Sequence, residues 1–152
     1  MNSLIIFIAK DLFILPLLLI AYLFFKLDNS KRKELVLVLI GGGILSLLLA
    51  KIGSHFFFNP RPFIGDHITP LFFASHVNGF PSDHTLLTSF LGFVALHYSR
   101  KLGVIMLVLA ALIGWARVAA GVHHFVDIVG AFIITAVATF VIFKVLQTRN
   151  KL

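Results

Sequence analysis

Three short segments hold most of the residues able to do chemistry: Asn59-Pro60-Arg61-Pro62, then Pro81-Ser82-Asp83-His84, then Arg117 followed by His123, His124 and Asp127. Two arginines imply an anionic ligand. Their type favours phosphate over carboxylate, because a guanidinium presents a planar fork of donors and does not lose its charge when partly buried. Pro81-Ser82-Asp83 precedes an apolar run, which places the N–H groups and positive dipole end of a helix N-terminus beside the same ligand. His123 and Asp127 are four apart. If the last helix begins near His123 they share a face, so the carboxylate can hold one ring nitrogen and leave the other free to attack. His84 arrives on a different element and suits the protonation of a departing oxygen. The candidate catalytic residues are therefore His123, His84 and Asp127, with Arg61, Ser82, Arg117 and Asp83 around the phosphate. Singly, each has a duller explanation: an arginine binds headgroups, and an aspartate at a helix start interacts with the dipole. The remaining histidines, His55, His67, His76 and His97, read as interfacial anchors.

The elements that must position these groups are membrane helices. Of 152 residues, 59% are hydrophobic and 12% charged, whereas soluble domains carry about a quarter charged residues. The expectation is an all-α, polytopic bundle of about five spans, at roughly 4–25, 35–58, 85–98, 102–120 and 125–143, forming a single domain over 1–152. The first run reads as a retained helix, since it has no basic start, exceeds a usual signal-peptide core and meets Lys26 and Asp28 without a small-residue cleavage site. Lys10 and Asp11 interrupt it, either at the interface or turned into the bundle, the former being the simpler reading. Gly41-Gly42-Gly43 and Ser46 point to close helix packing. Residues 59–82, broken by Pro60, Pro62, Pro70 and Pro81, form the longest non-spanning segment.

Charge sets the orientation. Lys26, Lys31, Arg32, Lys33, Arg100, Lys101, Lys144, Arg149 and Lys151 all fall on one side of this topology, which the positive-inside tendency makes cytoplasmic. The three motif segments then gather on the outer face. The same distribution explains the net charge of +7 without nucleic acid, and the absence of cysteine excludes disulfides, thiolate metal sites and a cysteine nucleophile.

At these residues the chain resembles the type 2 phosphatidic acid phosphatase family, related to vanadium haloperoxidases, whose signature is Lys-x6-Arg-Pro, Pro-Ser-Gly-His and Ser-Arg-x5-His-x3-Asp. Arg61-Pro62 matches the end of the first part, Pro81, Ser82 and His84 the second, and Arg117, His123 and Asp127 the third with both spacings intact. The resemblance implies that His123 forms a phosphohistidine, Asp127 orients it, His84 is the general acid, and Arg61, Arg117, Ser82 and backbone amides near Asp83 hold the phosphoryl group. It implies no metal and no cofactor. Three positions depart from the pattern: Ala116 replaces the serine, Asp83 replaces the glycine, and Ser54 stands where the lysine is expected, with Lys51 one turn deeper on the same helix, from where its long side chain is expected to reach the phosphate. Asn-Pro-Arg-Pro-Phe and Phe-Pro-Ser-Asp-His-Thr look like bacterial undecaprenyl-diphosphatases of the bacitracin-resistance type, which implies a polyprenyl diphosphate substrate and a bacterial cytoplasmic membrane with the site facing outward. Other lipid phosphates, such as phosphatidylglycerophosphate, phosphatidic acid or lipid A, use the same chemistry. A reading from another class is a non-catalytic binder or transporter of anionic lipids.

Overall fold

The computed structural model describes residues 2–74 and 76–149, all of whose long elements are helical. In chain order these are α1 (Asn2–Lys10), α2 (Ile14–Lys26), α3 (Asn29–Phe56), α4 (Pro62–Gly65), α5 (Asp83–Tyr98), α6 (Arg100–Ala119) and α7 (Phe125–Arg149). The aliphatic runs are helical because a chain in lipid must satisfy its own backbone groups. Their ends are marked locally. The Asp28 carboxylate caps α3 by accepting from the Lys31 N–H at 3.0 Å, and Ser99 caps α6 through the Leu102 N–H at 3.4 Å.

The all-α bundle matches the sequence expectation, but the number of spans differs from five. α3, α6 and α7 are each long and apolar enough to cross a membrane. The first apolar run is broken: α1 and α2 meet at a 41° bend, so this pair gives at most a fourth span. The break falls at residues 11–13, where Asp11 is exposed and Lys10 lies 5.6 Å from the centre of the Phe72 ring. α5 has only 16 residues, about 24 Å of helix against a hydrocarbon core of about 30 Å. Nine of those residues are buried. α5 is thus the central helix, shielded by its neighbours, while Ile40, Leu47, Val108, Ile133 and Phe140 on the surrounding helices point their side chains outward as lipid-facing surface.

Small residues bring these helices together. A Cβ on Gly103 would lie 2.5 Å from the Leu96 backbone nitrogen of α5, and one on Gly42 would meet the Phe90 ring at 2.9 Å. Between α5 and α7, Ser89 Oγ and Thr135 Oγ1 lie 2.9 Å apart in the core. At one end of the bundle Glu34 accepts from the Tyr98 hydroxyl at 3.2 Å, and His97 stacks on Phe143 with ring centres 4.1 Å apart. The start of α3 and the ends of α5 and α7 therefore coincide. Arg32 joins the end of α2 to them by donating to the Phe24 and Phe25 carbonyls. The basic residues named above cluster at that end; Lys151 lies outside the described residues.

Candidate active site

The opposite end carries all three motif segments. Residues 59–61 run antiparallel to 77–79, with Arg61 N–H donating to the Val77 carbonyl at 3.0 Å and Gly79 N–H to the Asn59 carbonyl at 2.8 Å. The Asn78 side chain locks the pairing by accepting from the Asn59 and Phe80 N–H groups and donating to the Ser54 carbonyl at the end of α3. Phe80 then inserts its ring between α3 and α7, against Gly53 and Gly130, filling the space that a side chain at Gly130 would need. This fixes the loop to the bundle.

The third segment turns from α6 into α7 through Gly121, whose φ of +71° suits glycine. α7 starts at Phe125, two residues later than a helix beginning at His123 would. The expected pair forms nonetheless: His123 Nδ1 lies 3.2 Å from Asp127 Oδ2, and both residues are buried. Asp127 is held from two further sides, accepting from the His124 N–H at 2.9 Å and from Asn59 Nδ2 at 2.7 Å. The first of these is a cap, in which an acid in the first helical turn reaches back to the N–H preceding the helix.

The other ring nitrogen of His123 faces the two arginines. Arg61 Nη1 lies 3.0 Å and Arg117 Nη2 3.3 Å from Nε2. Guanidinium groups only donate, so Nε2 accepts, and the ring is neutral with its proton on Nδ1 toward Asp127. Burial pushes the imidazole below its ordinary value; the Asp127 hydrogen bond opposes this, and the Arg61 and Arg117 charges reinforce it. Arg61 is anchored by the His76 carbonyl at 2.7 Å and the Val122 carbonyl at 2.8 Å. Its proton affinity is lowered by burial and partly restored by the charges of Asp83 and Asp127. Arg117 donates to the Ala9 carbonyl of α1 at 3.3 Å, while its Nε is buried with no partner among the described residues.

Ser82 is buried at the start of α5, its N–H on the Asp127 carbonyl at 3.2 Å and its Oγ accepting from Thr85 at 3.2 Å. His84 is half-buried, its ring edge-on to Phe13 at 5.2 Å. Asp83 and Lys51 are exposed, and both line a cleft of about 380 Å³ with Arg61, His76, Asn78 and Pro81. An apolar groove of about 310 Å³ between α3 and α5 shares Leu47, Asp83 and Leu86 with that cleft. All eight sequence-predicted site residues thus lie at one end of the bundle. Sequence reasoning gave no role to Asn59 or His124, although both stand within the motif segments, and it missed Asp66, the partner of His124. It missed the whole contribution of α1, and the His76 carbonyl, a backbone group that the residue type does not reveal. Among the described residues no three His, Cys, Asp or Glu side chains are grouped to hold a metal ion.

Comparison with known proteins gives this geometry a family. Residues 33–151 match the model of the PAP2 superfamily. The chain is 33% identical over 136 residues to the putative undecaprenyl-diphosphatase YbjG of Escherichia coli, covering 88% of this chain and 67% of that one. It is 26% identical over 146 residues to the undecaprenyl-diphosphatase BcrC of Bacillus subtilis, covering 95% and 74% respectively. The crystal structure of Aquifex aeolicus LpxE superimposes with a TM-score of 0.71 at 28% identity, over 94% of this chain and 83% of that one. The family match spans every motif residue above, and so the chain belongs to the PAP2 superfamily, as a multi-pass membrane hydrolase of phosphoric esters.

Proposed function

We propose that this protein hydrolyses a polyprenyl diphosphate, undecaprenyl diphosphate being the expected substrate, to the lipid monophosphate and inorganic phosphate through a phosphohistidine on His123. The observation that carries the reading is the environment of one atom. His123 Nε2 has two guanidinium groups at 3.0 and 3.3 Å, while Asp127 occupies the opposite ring nitrogen. A phosphoryl group drawn in by Arg61 and Arg117 meets that nitrogen as an unprotonated nucleophile.

In the first step Nε2 forms a bond to the terminal phosphorus, and the bond from that phosphorus to the bridging oxygen breaks. The electron pair leaves on the lipid phosphate, which takes a proton from His84. Asp127 stabilises the proton on Nδ1 while the ring is phosphorylated. In the second step water attacks the same phosphorus and gives a proton to His84; the phosphorus–nitrogen bond breaks, and inorganic phosphate is released. Arg61 and Arg117, with Ser82 and the amides at the start of α5, stabilise the charge on the equatorial oxygens, which is the larger part of phosphoryl-transfer catalysis. Lys51 and Asp83, on the wall of the cleft, are assigned to the second phosphate.

Two features support a lipid as the carrier of that phosphate. The cleft continues into the apolar groove between α3 and α5, and the chain is similar to proteins named for undecaprenyl-diphosphatase activity. The grouping of basic residues at the far end supports a site on the outer face of the cytoplasmic membrane. Chain 1–152 is read as one membrane-embedded domain. The test is phosphate release from undecaprenyl diphosphate by purified protein in detergent with a chelator present. Release by wild type and none by His123→Ala is the expected result. Release from phosphatidic acid but not from the polyprenyl diphosphate would move the substrate assignment and keep the chemistry.

A further inference from the structure

The buried His123–Asp127 pair does not end at Asp127. Oδ1 of that carboxylate accepts from Asn59 Nδ2 at 2.7 Å, and the same amide nitrogen lies 3.2 Å from His124 Nδ1. The other His124 nitrogen, Nε2, lies 2.9 Å from Asp66 Oδ2. Donor and acceptor roles along this chain are forced. The Asn59 amide nitrogen only donates, so one of its hydrogens goes to Asp127 and the other to His124 Nδ1, which must accept. The His124 proton is then on Nε2 and points at Asp66. His124 and Asp66 have side chains 31% and 55% exposed, whereas Asp127 is fully buried. The chain therefore runs from the rim of the protein to the nucleophile.

We propose that Asn59, His124 and Asp66 form a positioning relay: Asp66 fixes the tautomer and ring orientation of His124, His124 holds the Asn59 amide in plane, and Asn59 sets the carboxylate of Asp127 for His123. A second histidine–carboxylate pair thus acts on the first through one amide. None of the three touches the reacting phosphorus. Their effect passes through the one oxygen of Asp127 that neither His123 nor the His124 N–H uses. The motif spacing that identifies His123 and Asp127 contains no sign of this. The inference rests on His123 being the nucleophile, as proposed above.

The backbone makes the relay separable from folding. The His124 N–H that caps α7 survives any substitution of its side chain, so His124→Ala removes the relay contact and leaves the cap. Gln at this position offers an amide oxygen and nitrogen spaced much like the two ring nitrogens. It can accept from Asn59 and donate to Asp66, and it carries no titratable proton.

The experiment is a mutant cycle on purified protein in detergent, assayed with whichever of undecaprenyl diphosphate and phosphatidic acid the wild type hydrolyses, so that a wrong substrate assignment does not count against the relay. Asn59→Ala is expected to lower kcat by about ten- to a hundredfold with KM changed less than about twofold, since the loss is one of alignment and not of binding. His124→Ala is expected to lower kcat by about three- to tenfold, and the double variant to be no worse than Asn59→Ala alone, because residues acting through one link are not additive. His124→Gln should recover most of the wild-type rate. In Asn59→Ala the acid limb of kcat/KM should also move to higher pH, because a carboxylate relieved of one donor acts more fully on the His123 proton. If Asn59→Ala does not fold, the cycle of His124→Ala with Asp66→Ala asks the same question. Effects that multiply in either cycle, or a His124→Gln variant as slow as His124→Ala, would overturn the proposal.

Discussion

Replacing Gly79 by Ala probes how tightly the site holds the carboxylate that orients the nucleophile. A Cβ at this position would lie 2.8 Å from Asp127 Oδ2, while its next neighbours, Arg61 Cγ and the Asn59 carbonyl, are at 3.4 Å, where ordinary contact begins. Only the carboxylate is in conflict, and by about 0.6 Å. The φ of Gly79 lies outside the left-handed region, so alanine adopts the backbone without strain. The oxygen that must move accepts from His123 Nδ1 at 3.2 Å and from the His124 N–H at 2.9 Å, and its partner oxygen is pinned by Asn59. A shift of that size is expected to lengthen or bend the His123 bond, already the longest and the nearest to the limit of hydrogen bonding. Misplacement by about 1 Å at a reacting centre costs about a hundredfold, so about half of that is expected to cost roughly tenfold in kcat. KM should be nearly unchanged, because Arg61 and Arg117 keep their places. The assay is initial-rate phosphate release in detergent, with a melting curve on the same sample to show that the fold is intact. A variant with wild-type kcat and an unchanged melting temperature would refute the argument that Asp127 has no freedom to yield.

Other perturbations test separate parts of the reasoning. His123 must be neutral to attack, and its proton affinity is depressed chiefly by burial, so kcat/KM should persist as pH falls below 6.5 and decline only as pH falls through that lowered value; an acid limb above 6.5 in a pH–rate profile contradicts this. Asp83→Gly removes a carboxylate from the wall of the cleft that holds Arg61 and Lys51, and it should change the ratio of diphosphate to monophosphate hydrolysis more than the melting temperature. Unchanged ratios across two lipids would show that Asp83 takes no part in selection. Gly103→Ala places a Cβ 2.5 Å from the α5 backbone at Leu96, an overpacking that is expected to destabilise the bundle by about 1–3 kcal/mol. Its readout is a lower melting temperature in detergent, with the rate per folded molecule retained.

What the sequence disclosed depended on how each contribution is encoded. The gathering of Arg61, Ser82, His84, Arg117, His123 and Asp127 at one end of the bundle was legible because costly ionisable and capping residues stand at the ends of apolar runs, and because a four-residue interval spans one helical turn. That interval held even though α7 begins after His123, since the ring reaches forward from the residue just before the cap. Asn59 was in view beside Arg61, but its target lies 68 residues away, and nothing local announces a pairing at that range. α1 was illegible for a different reason. It reaches the site through the Ala9 carbonyl on Arg117, and the break that follows it brings the Phe13 ring against His84; neither a carbonyl nor a phenylalanine stands out within an apolar run. The break at residues 11–13 was marked by Lys10 and Asp11, but two charged residues at an interface do not by themselves distinguish a bend from a continuous helix.

In the bundle, most buried side-chain polar atoms of the described residues find partners within the protein, as a membrane interior requires. Ser46 Oγ and Thr139 Oγ1 are the hydroxyl exceptions among buried side-chain atoms of the described residues, and the remaining exception is a nitrogen on a charged group, Arg117 Nε. A buried guanidinium donor left unpaired costs more than a hydroxyl. Its neighbours are not spare either: Nη1 reaches the Ala9 carbonyl only at 3.3 Å, and Nη2 reaches a histidine nitrogen at the same distance. Such a group is poorly satisfied by the protein alone and well satisfied by an anion with several oxygens. A phosphate offers a guanidinium short, charge-assisted acceptors of the kind that the protein does not supply to Nε. The incomplete pairing of Arg117 among the described residues thus favours a phosphate-binding role, whereas a purely structural arginine at this depth would be expected to have all of its donors engaged.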